Sequence, residues 1–262
     1  MKTFSKLLLL SSLTLTSSFI HAEGYKFVST LLTTPYELAE SDTCAPKCPL
    51  LKIYFIDTDY PVVNQAINDF IVNLVDSFNF DKKEDIQYKY DPDNVDALVK
   101  TVYDFLKKED EKFKDFNGYS YVSIETSFLS RHKDVMMYVS IYESFILGAA
   151  HGNSNQKLFN YDTEKKKIIS IKDIIKPEAV ETVKFIARKN FLKNSSSNNI
   201  DPDIAKNTEF FLSENFEFNS DGIIFSYNPY ELLPYVFGPQ RVFLSYDEIK
   251  EYLKPEYLPN KS

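Results

Sequence analysis

Tyr119-Ser120-Tyr121-Val122-Ser123-Ile124-Glu125-Thr126-Ser127-Phe128-Leu129-Ser130 alternates with a period of two, and after Arg131-His132-Lys133-Asp134 so does the run from Val135 to Ile146. Two such runs joined by a short polar link predict a hairpin of long antiparallel strands. Their aromatic and β-branched content suits the half-buried face of a sheet. Ile146 leads directly into Leu147-Gly148-Ala149-Ala150-His151-Gly152-Asn153. The chain has only 6 glycines in 262 residues, and two of them sit four positions apart in this segment. A chain so poor in glycine places it where the backbone needs positive φ or a close approach, so His151 is expected where the second long strand ends or bends.

Upstream of the hairpin, Tyr25 to Leu32 and Leu50 to Ile56 read as strands, the first stopped by Pro35. Pro61 suits the first turn of a helix, and Val63, Ala66, Ile67, Phe70, Ile71, Leu74, Val75 and Phe78 recur at spacings of three and four. A second helix opens at Asp91-Pro92 with Val95, Leu98, Val99, Val102, Phe105 and Leu106 on one face. The charged run Lys107 to Lys112 is expected to be its solvated end. Downstream, Lys157 to Asp162 is a strand, Ile171 to Ile175 a short helical piece, and Pro177 the start of a third helix carrying Val180, Val183, Ile186, Ala187 and Phe191. That helix is expected to stop at Asn194, with Asn194 to Asn199 a polar loop. Short strands at Phe210–Leu212, Phe216–Phe218, Gly222–Tyr227 and Arg241–Leu244 and a closing helix near Tyr246 complete the pattern. The expected fold class is α+β: a mixed, mainly antiparallel sheet with long amphipathic helices packed on it, in two intimately joined halves, 23–147 and 148–262.

Residues 1–22 combine a basic head at Lys2 and Lys6, an apolar run of about 14 residues and the small Ala22, the pattern of a secretory signal cleaved after Ala22. The apolar run is well below the roughly 20 residues of a spanning helix. No cysteine lies near the exit to take a lipid. The expectation is a periplasmic or secreted protein that is not membrane-embedded. Without Lys2 and Lys6 the 30 basic residues fall to 28 against 38 acidic ones, a net −10. Such a surface repels phosphate backbones, which argues against nucleic acid, and steers basic partners. Cys44 and Cys48, in an oxidising compartment, are expected to form a disulfide that shapes a turn.

After cleavage the only histidines are His132 and His151, too few for a zinc site built on imidazoles, and the expected cofactor set is none. The acidic pairs Asp57/Asp59, Asp91/Asp93 and Asp201/Asp203 do not extend into a calcium loop and read mainly as helix-capping groups. For catalysis the best constellation is His151 as base with Asp162 as orienter and Tyr230 or Ser226 nearby; the alternative is a His151 that satisfies backbone groups at a bend. Tyr227, Tyr230, Tyr235 and Phe237, set among prolines in a loop ended by Gly238, can present a rigid aromatic binding surface.

Cys48-Pro49 before a strand, the Pro61 helix with Ala66-Ile67-Asn68, Gly148-Ala149-Ala150-His151-Gly152, Phe159-Asn160-Tyr161-Asp162, Gly222-Ile223-Ile224-Phe225 and Pro229-Tyr230-Glu231 through Tyr235 and Gly238 follow one another in an order that resembles a family of extracytoplasmic domains of unknown function. These are found in RsiV-type anti-sigma factors and beside the catalytic domain of PdaC-type peptidoglycan deacetylases. The resemblance implies a role at the cell envelope. In the RsiV-like relatives it implies lysozyme binding, and in the deacetylases an accessory part without assigned chemistry. With neither a sigma-binding segment nor a membrane helix in view, the expectation is a free-standing binding domain for a lysozyme-like protein or a peptidoglycan fragment. An envelope hydrolase using His151 and a structural or assembly factor are the alternatives.

Overall fold

Strands β3 (Tyr121–His132) and β4 (Val135–Phe145) form the predicted hairpin, with Lys133 in the left-handed region at its tip. Arg131 and His132 extend β3 beyond the sequence estimate. They can do so because the pairing shifts register between Phe128 and Ser130, which breaks the simple alternation there. The structure, a computed structural model, describes residues 28–33, 49–77, 95–198 and 200–259. The expected signal segment, the Cys44–Cys48 bridge and the Asp91-Pro92 helix start lie outside the described residues.

The hairpin is the middle of a six-stranded sheet in the order β1-β2-β3-β4-β5-β6. Its other strands are β1 (Val28–Thr33), β2 (Leu50–Asp57), β5 (Asn153–Asp162) and β6 (Lys167–Ile168). Neighbours pair antiparallel except β2 and β3, which are parallel. A parallel pair needs a long crossover. Helices α1 (Pro61–Ser77) and α2 (Val95–Lys112) lie in that connection. The α1 stripe buries Val63, Ile67 and Ile71, and α2 buries Val102 and Leu106, against Leu51, Ile53, Val122, Ile124, Tyr138 and Phe159 of the sheet. Each fully buried aliphatic contributes about 1.5–3 kcal/mol, so this face alone holds the two helices in place.

On the opposite face Val135 and Met137 of β4 enter a second core. It is built from α3 (Ile171–Ile174), α4 (Val180–Ser197), a three-stranded antiparallel sheet of β7 (Phe216–Phe218), β8 (Gly222–Tyr227) and β9 (Gln240–Ser245), and α6 (Tyr246–Ile249). A short α5 (Pro202–Asn207) starts where the Asp201 side chain accepts the Asp203 N–H, the capping role expected of that pair. The fold is therefore α+β, with a mainly antiparallel large sheet and a second sheet packed on one of its faces.

Two local expectations are corrected. Helix α4 does not stop at Asn194 but runs to Ser197. The hydroxyls of Ser195, Ser196 and Ser197 donate back to the carbonyls of Phe191, Leu192 and Lys193, so the residues that look like a loop close the last helical turn. The charged end of α2 is not wholly solvated either. Asp110 is only 9% exposed, and its carboxylate accepts the backbone N–H and the hydroxyl of Ser120. The same Ser120 hydroxyl accepts the N–H of Leu147, so a buried acid ties α2 to both ends of the central hairpin.

Only Tyr161 and Asp162 at the end of β5 pair with β6, and among the described residues no strand lies beside the rest of its outer edge. Two asparagine side chains stand in for one. The Asn215 amide accepts the Leu158 N–H at 3.1 Å and donates to the Gln156 carbonyl at 3.1 Å. The Asn228 amide accepts the Gln156 N–H at 2.8 Å and donates to the same carbonyl at 3.2 Å. A side-chain amide offers the donor and acceptor of a peptide group, so both close an edge that would otherwise be unpaired. Asn228 is also the residue from which the Pro229–Gly238 loop departs.

Candidate functional site: an aromatic ridge at the β4–β5 turn

The turn from β4 to β5 is tight, with the Ala149 N–H donating to the Ile146 carbonyl at 2.9 Å. Gly148 has φ +91, and a Cβ there would lie 2.3 Å from the Phe113 ring, so both the conformation and the space demand glycine. Phe113 follows α2, and its ring lies over this bend. The consequence is that His151 is presented on the surface at a fixed place.

The His151 ring is held on three sides. Its Nδ1 lies 2.8 Å from the Gly152 carbonyl, which can only accept, so Nδ1 donates to it, and Nε2 and the Tyr230 hydroxyl share a hydrogen bond at 3.2 Å. The Tyr235 ring stacks on it with centroids 3.7 Å apart and planes at 17°. The Tyr235 hydroxyl donates to the same Gly152 carbonyl at 2.7 Å. One backbone oxygen thus fixes both stacked rings, and Tyr230 packs beside Tyr235 at 5.6 Å.

Tyr230 is 64% exposed and sits at φ +71. A non-glycine residue in that region costs on the order of 1 kcal/mol, and such strain concentrates at functional positions. The loop supports it: Asn228 N–H donates to the Glu231 carboxylate at 2.7 Å, and Glu231 N–H to the Asn228 carbonyl at 3.1 Å. Beyond Tyr235, Val236 is 82% exposed on a 3-10 turn, Tyr235–Phe237, closed by Gly238 at φ +65.

Not all the sequence-nominated residues meet here. Tyr227 is 1% exposed, and its hydroxyl donates to the Phe211 carbonyl at 2.7 Å. Burial pushes its pKa up, with Glu231 adding to the effect. Tyr227 is a core residue, because β8 is covered on both faces and its alternation does not tell inside from outside. Phe237 is half-buried and leans on the same core. Ser226 is buried in β8, where its N–H and carbonyl bond Asn215 and Ser213.

Asp162 is at the far end of the ten-residue β5, on the order of 30 Å from His151 at the usual strand rise. Its carboxylate accepts the N–H groups of Glu164 and Lys165 and the Tyr257 hydroxyl. The proposed pairing of His151 with Asp162 as orienter is therefore corrected: Asp162 organises the β5–β6 turn and the C-terminal segment. The Lys165 ammonium bonds the Tyr257 hydroxyl and the Glu256 carboxylate. Burial works against its charge, but those two partners outweigh it and hold its pKa well above the usual lysine range. Burial, reinforced by Asp162, pushes Tyr257 up to about 12 although Lys165 opposes it.

The second histidine, His132, stacks on Phe218 with centroids 4.6 Å apart and planes at 7°. Its Nε2 lies 2.9 Å from the Tyr257 carbonyl and so donates to it. Burial lowers its pKa, against the opposing effect of that hydrogen bond, and Lys133 lowers it further. It is a packing group at the hairpin tip. Among the described residues, no group of three or more His, Cys, Asp or Glu side chains comes together to hold a metal ion, and no helix is long and apolar enough to cross a membrane.

The ridge so built joins His151, Tyr230 and Tyr235 but brings no carboxylate from Asp162 to the imidazole. Its imidazole is oriented by a backbone carbonyl instead of a carboxylate, and its Nε2 is already engaged by a phenol. Sequence spacing gave no sign of the stack, since His151 and Tyr235 are 84 positions apart.

Comparison with known proteins agrees with this architecture. Residues 172–247 match the family described as "Protein of unknown function (DUF3298)". The crystal structure of a DUF3298 family member from Bacteroides fragilis NCTC 9343 is similar, with 19% identity and a TM-score of 0.64 over 88% of this chain and 94% of that one. A DUF3298 family protein from Pseudomonas aeruginosa PAO1 is similar at 17% identity and a TM-score of 0.60, over 90% of this chain and 97% of that one. These establish a shared fold. No curated protein matches the chain.

Proposed function

We propose that the chain is an exported, RsiV-like binding protein of the cell envelope that recognises a peptidoglycan-related ligand through the ridge formed by His151, Tyr230, Tyr235 and Val236. The observation that carries this reading is the exposed, hydrogen-bonded stack of His151 on Tyr235 beside a strained and exposed Tyr230. Rigid aromatic groups held in place before binding lose little entropy on contact, which is what a recognition surface needs. The signal-like N-terminus and the order of motifs along the chain support the compartment. A hydrolase reading has less support, because the Asp162 carboxylate is committed elsewhere and Ser226 is buried within β8.

Calorimetric titration of the mature protein with soluble muropeptides, and in parallel with lysozyme, tests the proposal. Binding of muropeptides that weakens about 10- to 30-fold in Tyr230→Ala is expected of an exposed anchor. Binding to lysozyme alone would transfer the ridge to a protein partner, and binding to neither at high micromolar concentration would overturn the reading.

A further inference from the structure

The turn that carries Tyr235 also places Val236 and Phe237 along a groove of about 600 Å³. Across it lies the end of α4, with Asn194, Ser197 and Asn198; β9 closes it with Gln240 and Arg241, and buried Phe191 lies at its floor. The volume falls within the roughly 300–1,000 Å³ typical of small-ligand sites.

The lining selects a ligand class. Arg241 is the only ionisable side chain among the described residues that line it, and its guanidinium is already paired with the Glu217 carboxylate. An anionic ligand would have to compete with Glu217, and a cationic one finds no acid among the lining residues. What remains unspent is neutral. The side-chain amides of Asn194 and Asn198 make no hydrogen bond within the described residues. Gln240 uses only its amide nitrogen, on the carbonyls of Phe237 and Gly238, leaving Oε1 as an acceptor. Amides both donate and accept, which matches hydroxyl and acetamido groups. Half-buried Phe237 supplies apolar surface for the C–H face of a sugar ring.

We propose that this groove is a second subsite that holds a short uncharged glycan, continuous through Val236 with the ring-stacking surface of Tyr230. The inference rests on the binding role of that loop and names the part of the ligand lodged beside it.

The test uses chitotetraose as the uncharged probe, with its fully de-N-acetylated form and tetragalacturonate as cationic and anionic controls, titrated into the mature protein. Asn194→Phe fills the groove from an exposed helical position, Asn194→Ala removes one amide, and Tyr230→Ala probes the ridge; circular dichroism verifies that each is folded. Chitotetraose should bind more tightly than either charged oligomer. Asn194→Phe should weaken it at least tenfold, and Asn194→Ala about fivefold, the value of one hydrogen bond. No binding of chitotetraose up to about 5 mM, where even weak ligands register, overturns the proposal, as does tighter binding of a charged control. An effect of Tyr230→Ala with none of Asn194→Phe removes the groove and leaves the ridge; the reverse pattern keeps the groove and removes the ridge.

Discussion

Replacing Asn215 by alanine should destabilise the protein by about 2–4 kcal/mol although it removes only one small amide. Leu158 is buried, so its N–H loses its acceptor with no water to replace it, a cost of about 1–3 kcal/mol. The Gln156 carbonyl keeps the Asn228 amide and loses only its second donor, about 0.5–1.5 kcal/mol. Asn228→Ala should cost about 1 kcal/mol or less in stability, because Gln156 is part-exposed and solvent can take over. That variant should still weaken ligand binding, since Asn228 anchors the loop that carries Tyr230. Asn215→Asp discriminates further: the carboxylate still accepts the Leu158 N–H but points lone pairs at the Gln156 carbonyl. It should be at least as destabilising as alanine at pH 7 and should recover as the pH falls and the acid regains a proton to donate. Urea unfolding followed by circular dichroism reads these differences as midpoint shifts at unchanged slope. Equal losses for Asn215→Ala and Asn228→Ala, or a loss below about 1 kcal/mol for the first, would refute the idea that side-chain amides close the edge of β5.

Three further outcomes follow from the same geometry. Gly148→Ala should cost about 2–4 kcal/mol, from the positive φ and the collision with the Phe113 ring, and thermal unfolding measures it. Tyr257→Phe should lose about 1.5–3 kcal/mol, because a buried carboxylate on Asp162 and the Lys165 ammonium both lose a hydroxyl partner. His132 is held neutral by burial, so its folded pKa lies below the ordinary 6.5. Its contribution is complete above pH 6.5 and is lost as the pH falls from there through the folded value, where the unfolded chain binds the extra proton. His132→Gln keeps a donor for the Tyr257 carbonyl, and its stability should be flatter than that of the wild type between pH 7.5 and about 5.5; identical slopes would contradict the assignment.

What the sequence made legible is what depends on local periodicity. The alternation of Tyr119–Ser130 and Val135–Ile146 and the three–four spacing from Val63 to Leu74 each report one covered face, and the hairpin and α1 form as that pattern requires. Ser195–Ser197 misled because serine hydroxyls that satisfy their own helix look, as letters, like a turn. Asp110 misled because its partner, Ser120, lies beyond the helix end. Tyr227 and Tyr230 are three positions apart and chemically identical; only the packing of Phe211 and Phe210 on Tyr227 separates core from surface. The β5 edge and the His151–Tyr235 stack join residues 57 to 84 positions apart, and no local pattern reports such pairings.

The central claim is that ligand meets the protein at the His151–Tyr230–Tyr235 ridge. Residue-resolved NMR shift mapping during a muropeptide titration tests it most directly. Saturable shifts centred on His151, Gly152, Tyr230, Tyr235 and Val236, lost in Tyr230→Ala, are the predicted result. Saturable shifts confined to the α1–α2 face of the sheet, with the ridge unmoved, would contradict the account.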